Sequence, residues 1–170
     1  MNPDVSTSQG GTKLQDDLDH IASQMFKLRF SFWALRHKNR ADDPHDLTEP
    51  EFVALDTLIK EGTCTVGQLQ KVLDVQPAQM SRIIRSLESK GTAPLVQCQL
   101  NTKDKRRIDV TISRLGQRAH HEYRSRRLQA NKDIMKDLRD DEKAELAKLL
   151  QRFDEIMSAR LTGSHPPTPG

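Results

Sequence analysis

The stretch TVGQLQKVLDVQPAQMSRIIRSLESKG, residues 65–91, decides the fold. Thr65 suits a helix N-cap, and Gln68 stands three residues on, where a capping box needs it. Leu69, Val72 and Leu73 follow at helical spacing and are expected to face inward. Asp74-Val75 reads as a tight turn. Pro77 fits the first turn of a second helix, whose inner face is Met80, Ile83, Ile84 and Leu87 and which Gly91 ends. Two helices joined so closely make a helix-turn-helix.

C-terminal to this motif the period changes. Leu95-Val96, then Ile108, Val110 and Ile112 alternating with polar residues, flank a charged segment from Asn101 to Arg107. That pattern predicts a two-stranded hairpin with a polar tip, the wing of a winged helix. On the N-terminal side, Thr48 with Glu51 predicts another capped helix, with Phe52, Leu55, Leu58 and Ile59 inward and Gly62 as its stop.

Long helices flank this unit. Leu14, Leu18, Ile21, Met25, Leu28, Phe32 and Leu35 recur every three or four residues, predicting one helix from Leu14 to Lys38. Ser113 caps a fifth helix reaching Leu138. Asp140-Asp141-Glu142 opens a sixth, with the stripe Leu146, Leu149, Leu150, Phe153, Ile156, Met157 and Leu161. The fold class is therefore mainly α with a small β-hairpin wing: a winged helix-turn-helix at 47–112, flanked by helical segments at 13–46 and 113–162. Residues 1–12 and 163–170 are polar or proline-rich and are expected to be disordered tails.

Composition narrows the function. The 170 residues suit about one domain. Hydrophobic residues are 35% and charged residues 30% of the chain. So low an apolar share suits helices whose core a second copy completes. No apolar run reaches the roughly 18 residues of a membrane span. Residues 1–12 lack the apolar stretch of a secretory signal. Two cysteines, Cys64 and Cys98, fit a reducing cytoplasm, where the protein is expected to reside. No nucleophile elbow, P-loop or GxGxxG is present, so no enzyme is expected, and no cofactor.

The net charge of +3 conceals a segregation. Between Arg82 and Arg127 stand twelve basic and four acidic residues, a net +8, which leaves −5 for the remainder. The basic segment coincides with the second helix of the motif, the wing and the helix behind it. A clustered cationic surface is the footprint of phosphate binding, and double-stranded DNA is the expected partner. On the second helix the outward residues Gln76, Ala78, Gln79, Arg82 and Arg85 suit base edges of the major groove, and Ser81 suits a phosphate. At the tip, Lys103, Asp104, Lys105, Arg106 and Arg107 suit a minor groove, with Asp104 expected to hold and aim the Arg106 guanidinium.

Together these residues resemble the MarR family of bacterial transcriptional regulators. The resemblance covers Leu14 to Leu161. It rests on Leu47-Thr48, the run from Val75 to Leu87-Glu88-Ser89-Lys90-Gly91, Leu95-Val96, Asp104-Lys105-Arg106-Arg107 and Ser113-Arg114-Leu115-Gly116 in that order. It implies a homodimer, with the first, fifth and sixth helices as dimerisation helices. It also implies a pseudo-palindromic operator and a repressor that leaves DNA on binding a small aromatic effector. Arg106 matches the wing arginine that enters the minor groove. Two departures stand out: Thr92-Ala93-Pro94 is inserted before Leu95, expected to shift or loosen the wing, and Cys98 replaces an expected arginine.

Trp33, Arg36 and His37 form an aromatic wall with cations where the family's effector pocket would lie. Cys98, with cations nearby, is a candidate redox thiol. The histidines show no metal-ligand spacing, so no metal site is expected. A protein-interaction adaptor and a thiol redox sensor are the alternatives to a ligand-responsive regulator.

Overall fold

The computed structural model describes residues 8–38, 45 and 47–163, with side chains from residue 15 to 35, at 45, and from 47 to 163. The elements run α1 (Ser8–Lys38), α2 (Glu49–Glu61), β1 (Cys64–Thr65), α3 (Val66–Leu73), α4 (Pro77–Ser89), β2 (Val96–Leu100), β3 (Ile108–Ile112), α5 (Arg114–Met135) and α6 (Asp140–Thr162).

The helix starts follow their caps. The Thr48 amide donates to Glu51 Oε2 at 2.7 Å, and the Thr65 amide to Gln68 Oε1 at 2.7 Å. Ser113 Oγ accepts from the Gly116 amide at 3.0 Å and donates to the Pro94 carbonyl at 2.8 Å. Each bond satisfies a polar group that a helix end would otherwise leave unpaired. Gly62 ends α2 at φ +77°, and Asp74 turns the chain between α3 and α4 at φ +49°. Asp74 tolerates this left-handed conformation because its short polar side chain bonds locally.

The wing is three-stranded, in the order β1-β3-β2 and antiparallel throughout. The expected hairpin is there, from Val96 opposite Ile112 to Leu100 opposite Ile108. Cys64 and Thr65 add a third strand against Val110 and Asp109. So short a strand carries no alternation of its own, and its β conformation comes from the neighbour it pairs with.

One core unites α2, α3, α4, the sheet and the start of α5. Leu55, Leu58, Leu69, Met80, Leu87, Leu95, Val96 and Val110 are fully buried in it, with Ala119 and Tyr123 from α5. Ile59 and Val72, expected inward, are exposed. Each lies at the margin of its helix's apolar arc, and the single core needs only the arc's centre. The inserted Thr92-Ala93-Pro94 does not leave β2 loose. The Leu95 amide donates to the Leu87 carbonyl at 2.8 Å, and the Leu95 carbonyl accepts from the Ser113 amide at 2.9 Å. A Cβ added at Gly116 would fall 2.1 Å from that same carbonyl oxygen. Only glycine lets α5 start this close to the wing.

The long helices behave differently. Every described side chain of α1, from 15 to 35, is exposed. In α6 only Ala159 is buried, while Leu149, Leu150, Phe153, Met157 and Leu161 lie open. α1 starts at Ser8, inside the stretch expected to be a tail. Its first turns are polar, so apolar periodicity gives no sign of them. Residues 1–7 and 164–170, the remainder of the expected tails, lie outside the described residues.

Candidate nucleic-acid interface

The helix α4 has two chemically distinct sides. Met80, Ile83, Ile84 and Leu87 are buried and fix its roll angle. Gln76, Ala78, Gln79, Ser81, Arg82 and Arg85 are all exposed on the other side. Ser81 Oγ donates to the Pro77 carbonyl at 3.0 Å, and its lone pairs remain outward. At its far end α4 is clamped. Lys90 Nζ lies 2.6 Å from Glu51 Oε2, with the two side chains 18% and 4% exposed. Burial pushes the Glu51 carboxyl up. Hydrogen bonds from Lys90, Ser86 and the Thr48 amide outweigh it and hold the group below its ordinary value of 4.5.

The wing tip is a built turn. Asn101 Oδ1 accepts from the amides of Lys103 and Asp104, each at 2.9 Å, and its Nδ2 donates to the Asp109 carboxylate at 2.9 Å. The Asn101 amide donates to the Arg107 carbonyl at 3.0 Å. Asp104 is a brace, but in a different way from the one expected. Its Oδ1 accepts from the Arg106 backbone amide at 3.1 Å, and its Oδ2 pairs with Arg107 Nε at 3.1 Å. The carboxylate therefore fixes the backbone under Arg106 and the guanidinium of Arg107. Among the described residues no carboxylate pairs with the Arg106 guanidinium, which is left for a partner outside the chain. Lys103, Lys105, Arg106 and Arg107 are all exposed. Asn101 and Asp109 are the parts that sequence reasoning missed. An Asn eight residues before an Asp across a hairpin was the only available sign.

Residues 47–108 match the MarR family model, which spans α2, both halves of the helix-turn-helix, and the wing as far as the first residue of β3. Over that segment it is a MarR-family winged-helix domain. Solved structures share the fold. A MarR family protein from Bacillus stearothermophilus is 18% identical with a TM-score of 0.70, over 85% of this chain and 97% of that one. A mutant MarR from Escherichia coli is 25% identical with a TM-score of 0.64, over 78% and 94%. BpsR from Bordetella bronchiseptica, described with regulation of its DNA binding by 6-hydroxynicotinic acid, is 19% identical with a TM-score of 0.53, over 81% and 98%. Among curated proteins, none matches the chain by sequence. The MarR family is one of DNA-binding transcription regulators, which accords with the absence of catalytic motifs in the sequence. Among the described residues no helix is long and apolar enough to cross a membrane, and no three metal-ligating side chains cluster.

A polar and aromatic stack ties this MarR-family domain to α5. Phe52 of α2 stacks on His120 at 4.7 Å and on Tyr123 at 4.7 Å between ring centroids. His120 Nε2 lies 2.9 Å from Asp56 Oδ1, and Lys60 Nζ 2.6 Å from Asp56 Oδ2. Burial raises the Asp56 carboxyl, but Lys60 and His120 outweigh it and hold it below its ordinary 3.8. Arg127 sits over the Tyr123 ring at 4.6 Å and donates to its hydroxyl. His120 and Asp56 are 64 residues apart, so spacing gives no hint of the pair.

The candidate redox thiol loses its premise. Cys98 was expected to sit among cations. Instead its thiol is partly buried beside Glu88, and burial and that carboxylate push its pKa up to about 11. A thiol so protonated is a poor nucleophile. Cys64 is buried, and burial and Glu61 raise it as well. Both cysteines pair with Val110 from opposite sides, so two strand spacings of about 4.8 Å separate them, too far for a disulfide. Of the candidate effector residues, Trp33 is exposed on α1. The side chains of Arg36 and His37 lie outside the described residues.

Proposed function

We propose that the chain acts as a homodimer on a pseudo-palindromic operator, with α4 in the major groove and the Arg106 tip in the adjacent minor groove. The observation that carries this reading is the pairing of a rigid scaffold with exposed readers. The apolar side of α4 is locked in the core, its polar side is open, and the wing backbone is braced by Asn101 and Asp104. Preorganised donors lose little freedom on binding. The unpartnered faces of α1 and α6 support the dimer, since a monomer would leave Leu18, Phe26, Leu149 and Leu161 in water.

The experiment selects duplexes from a random pool with the purified protein and titrates the winner. Two half-sites about one helical turn apart are expected. Arg106→Ala should weaken operator binding by about 1–3 kcal/mol and relax preference at the bases flanking the half-sites. Unchanged affinity would remove the wing from the mechanism.

The chain is further read as a repressor released by a small aromatic acid. The support is BpsR, whose DNA binding is described as regulated by such a molecule. Trp33, the only tryptophan, supplies the measurement. Its fluorescence should change on titration with aromatic carboxylates that also release the operator. Neither alternative gains a supporting observation: an adaptor has no use for a +8 segment, and Cys98 is not activated.

A further inference from the structure

A cleft of about 520 Å³ opens between the first turns of α3 and the base of the wing. Its existence follows from topology. Thr65 is hydrogen-bonded to β3 opposite Asp109 and is also the N-cap of α3, so the helix leaves the sheet directly beside Arg107. The walls include Gly67, Gln68, Lys71, Arg106 and Arg107. We propose that this cleft binds a backbone phosphodiester of the bound duplex, with Lys71, Gln68 and Arg107 as the donors. The proposal rests on the DNA-binding reading above and adds to it a contact from α3, made by Lys71 and Gln68 beside the wing's Arg107.

The chemistry of the walls is one-sided. Among the described residues three cations line the cleft and no carboxylate does. Arg107 has only its Nε engaged, by Asp104 at 3.1 Å, so its terminal nitrogens remain for a second acceptor while the carboxylate fixes their plane. The Gln68 oxygen is occupied by the Thr65 amide at 2.7 Å and the Thr65 hydroxyl at 2.9 Å, which leaves the side-chain NH₂ as a donor. Lys71 is exposed, and among the described residues no carboxylate pairs with it. A Cβ at Gly67 would meet nothing within 4 Å, so that wall does not close the opening. A base edge presents donors and acceptors together. The charged and amide groups of this wall are all donors, which matches an oxyanion, while Val66 and Ile108 form its apolar floor.

Position selects the source of that oxyanion. Arg106 belongs both to the wing tip and to the cleft wall. A sugar–phosphate strand borders any groove that Arg106 enters, and that strand must run past the cleft. A phosphate contact of this kind sets register and adds affinity without reading sequence.

The test uses the full chain, with Lys71→Ala titrated against the selected operator and an unrelated duplex between about 50 and 200 mM salt. Both affinities are expected to fall by the same factor, roughly three- to tenfold, and the slope of log affinity against log salt to shrink by about 0.9. Arg106→Ala should in contrast lower the ratio between the two duplexes. Lys71 also stands in the last turn of α3, where a cation stabilises the helix end. That role alone would lower the thermal midpoint and leave the salt slope intact. An unchanged slope for Lys71→Ala, with wild type binding normally, overturns the cleft and spares the DNA-binding reading. A wild type that binds no duplex overturns both.

Discussion

Phe153→Asp should turn the protein into a monomer and lower operator affinity by about 10²–10⁴-fold, while leaving the winged-helix body folded. Phe153 lies in the α6 stripe with Leu149, Leu150 and Met157, all at least 45% exposed in the single chain. α1 offers a comparable surface, with Ile21, Met25 and Leu28 open. Burying one such side chain stabilises by about 1.5–3 kcal/mol, and a symmetric interface counts each twice. An aspartate there places two charges in apolar surroundings, a large penalty without partners. The body is insulated from the change, because Leu55, Leu69, Met80, Leu87 and Val110 form its core without any α6 side chain.

The loss of affinity follows from linkage of two half-sites. In a dimer the second α4 binds at a local concentration set by the helices joining the two bodies, and a monomer forfeits that gain. Light scattering reads the mass, and titration of full and half operators reads the coupling. A variant that stays dimeric, or a monomer that prefers the full operator as strongly as wild type, would remove the α6 stripe from the interface. Helical circular dichroism should fall only modestly, since isolated long helices are marginal in water.

What the sequence disclosed and what it hid divide along physical lines. Local chemistry was legible. Thr48, Thr65 and Ser113 act as caps because each bond spans only three residues. The buried faces of α4 and of most of α2 were legible because period alone assigns them. Contacts across long separations were not. Asp104 grips Arg107 and the Arg106 amide rather than the Arg106 guanidinium, since a tight turn sets which donors face the carboxylate. Cys98 meets Glu88 because β2 packs on α4, a contact between separate elements that no local pattern announces. The His120–Asp56 pair and the cleft beside Lys71 need the assembled α2–α5 and α3–wing contacts.

Lys90→Met is the stability counterpart, expected to cost about 3 kcal/mol, at the lower end of what breaking a buried ion pair costs. Its partner Glu51 is almost wholly enclosed and keeps the Thr48 amide bond, but loses the cation that stands 2.6 Å away. The loss reaches function through geometry. Lys90 is the C-cap of α4, and Glu51 is in the first turn of α2, so the pair fixes the end of the helix that reads DNA. Urea unfolding at matched chain concentration measures the loss, since association adds to apparent stability. The double variant Lys90→Met, Glu51→Leu should recover most of it, less about 1 kcal/mol for the lost capping bond. The pH dependence gives an independent reading. Glu51 is held below 4.5 in the folded chain, so as pH falls the unfolded chain takes up this proton first. The stabilisation is complete above about pH 5 and disappears as the medium acidifies through the folded value. Lys90→Met should therefore differ most from wild type near neutrality and converge with it as the medium acidifies through the folded value. A gap that stayed constant into acid would mean that Lys90 acts through its aliphatic stem and not through its charge.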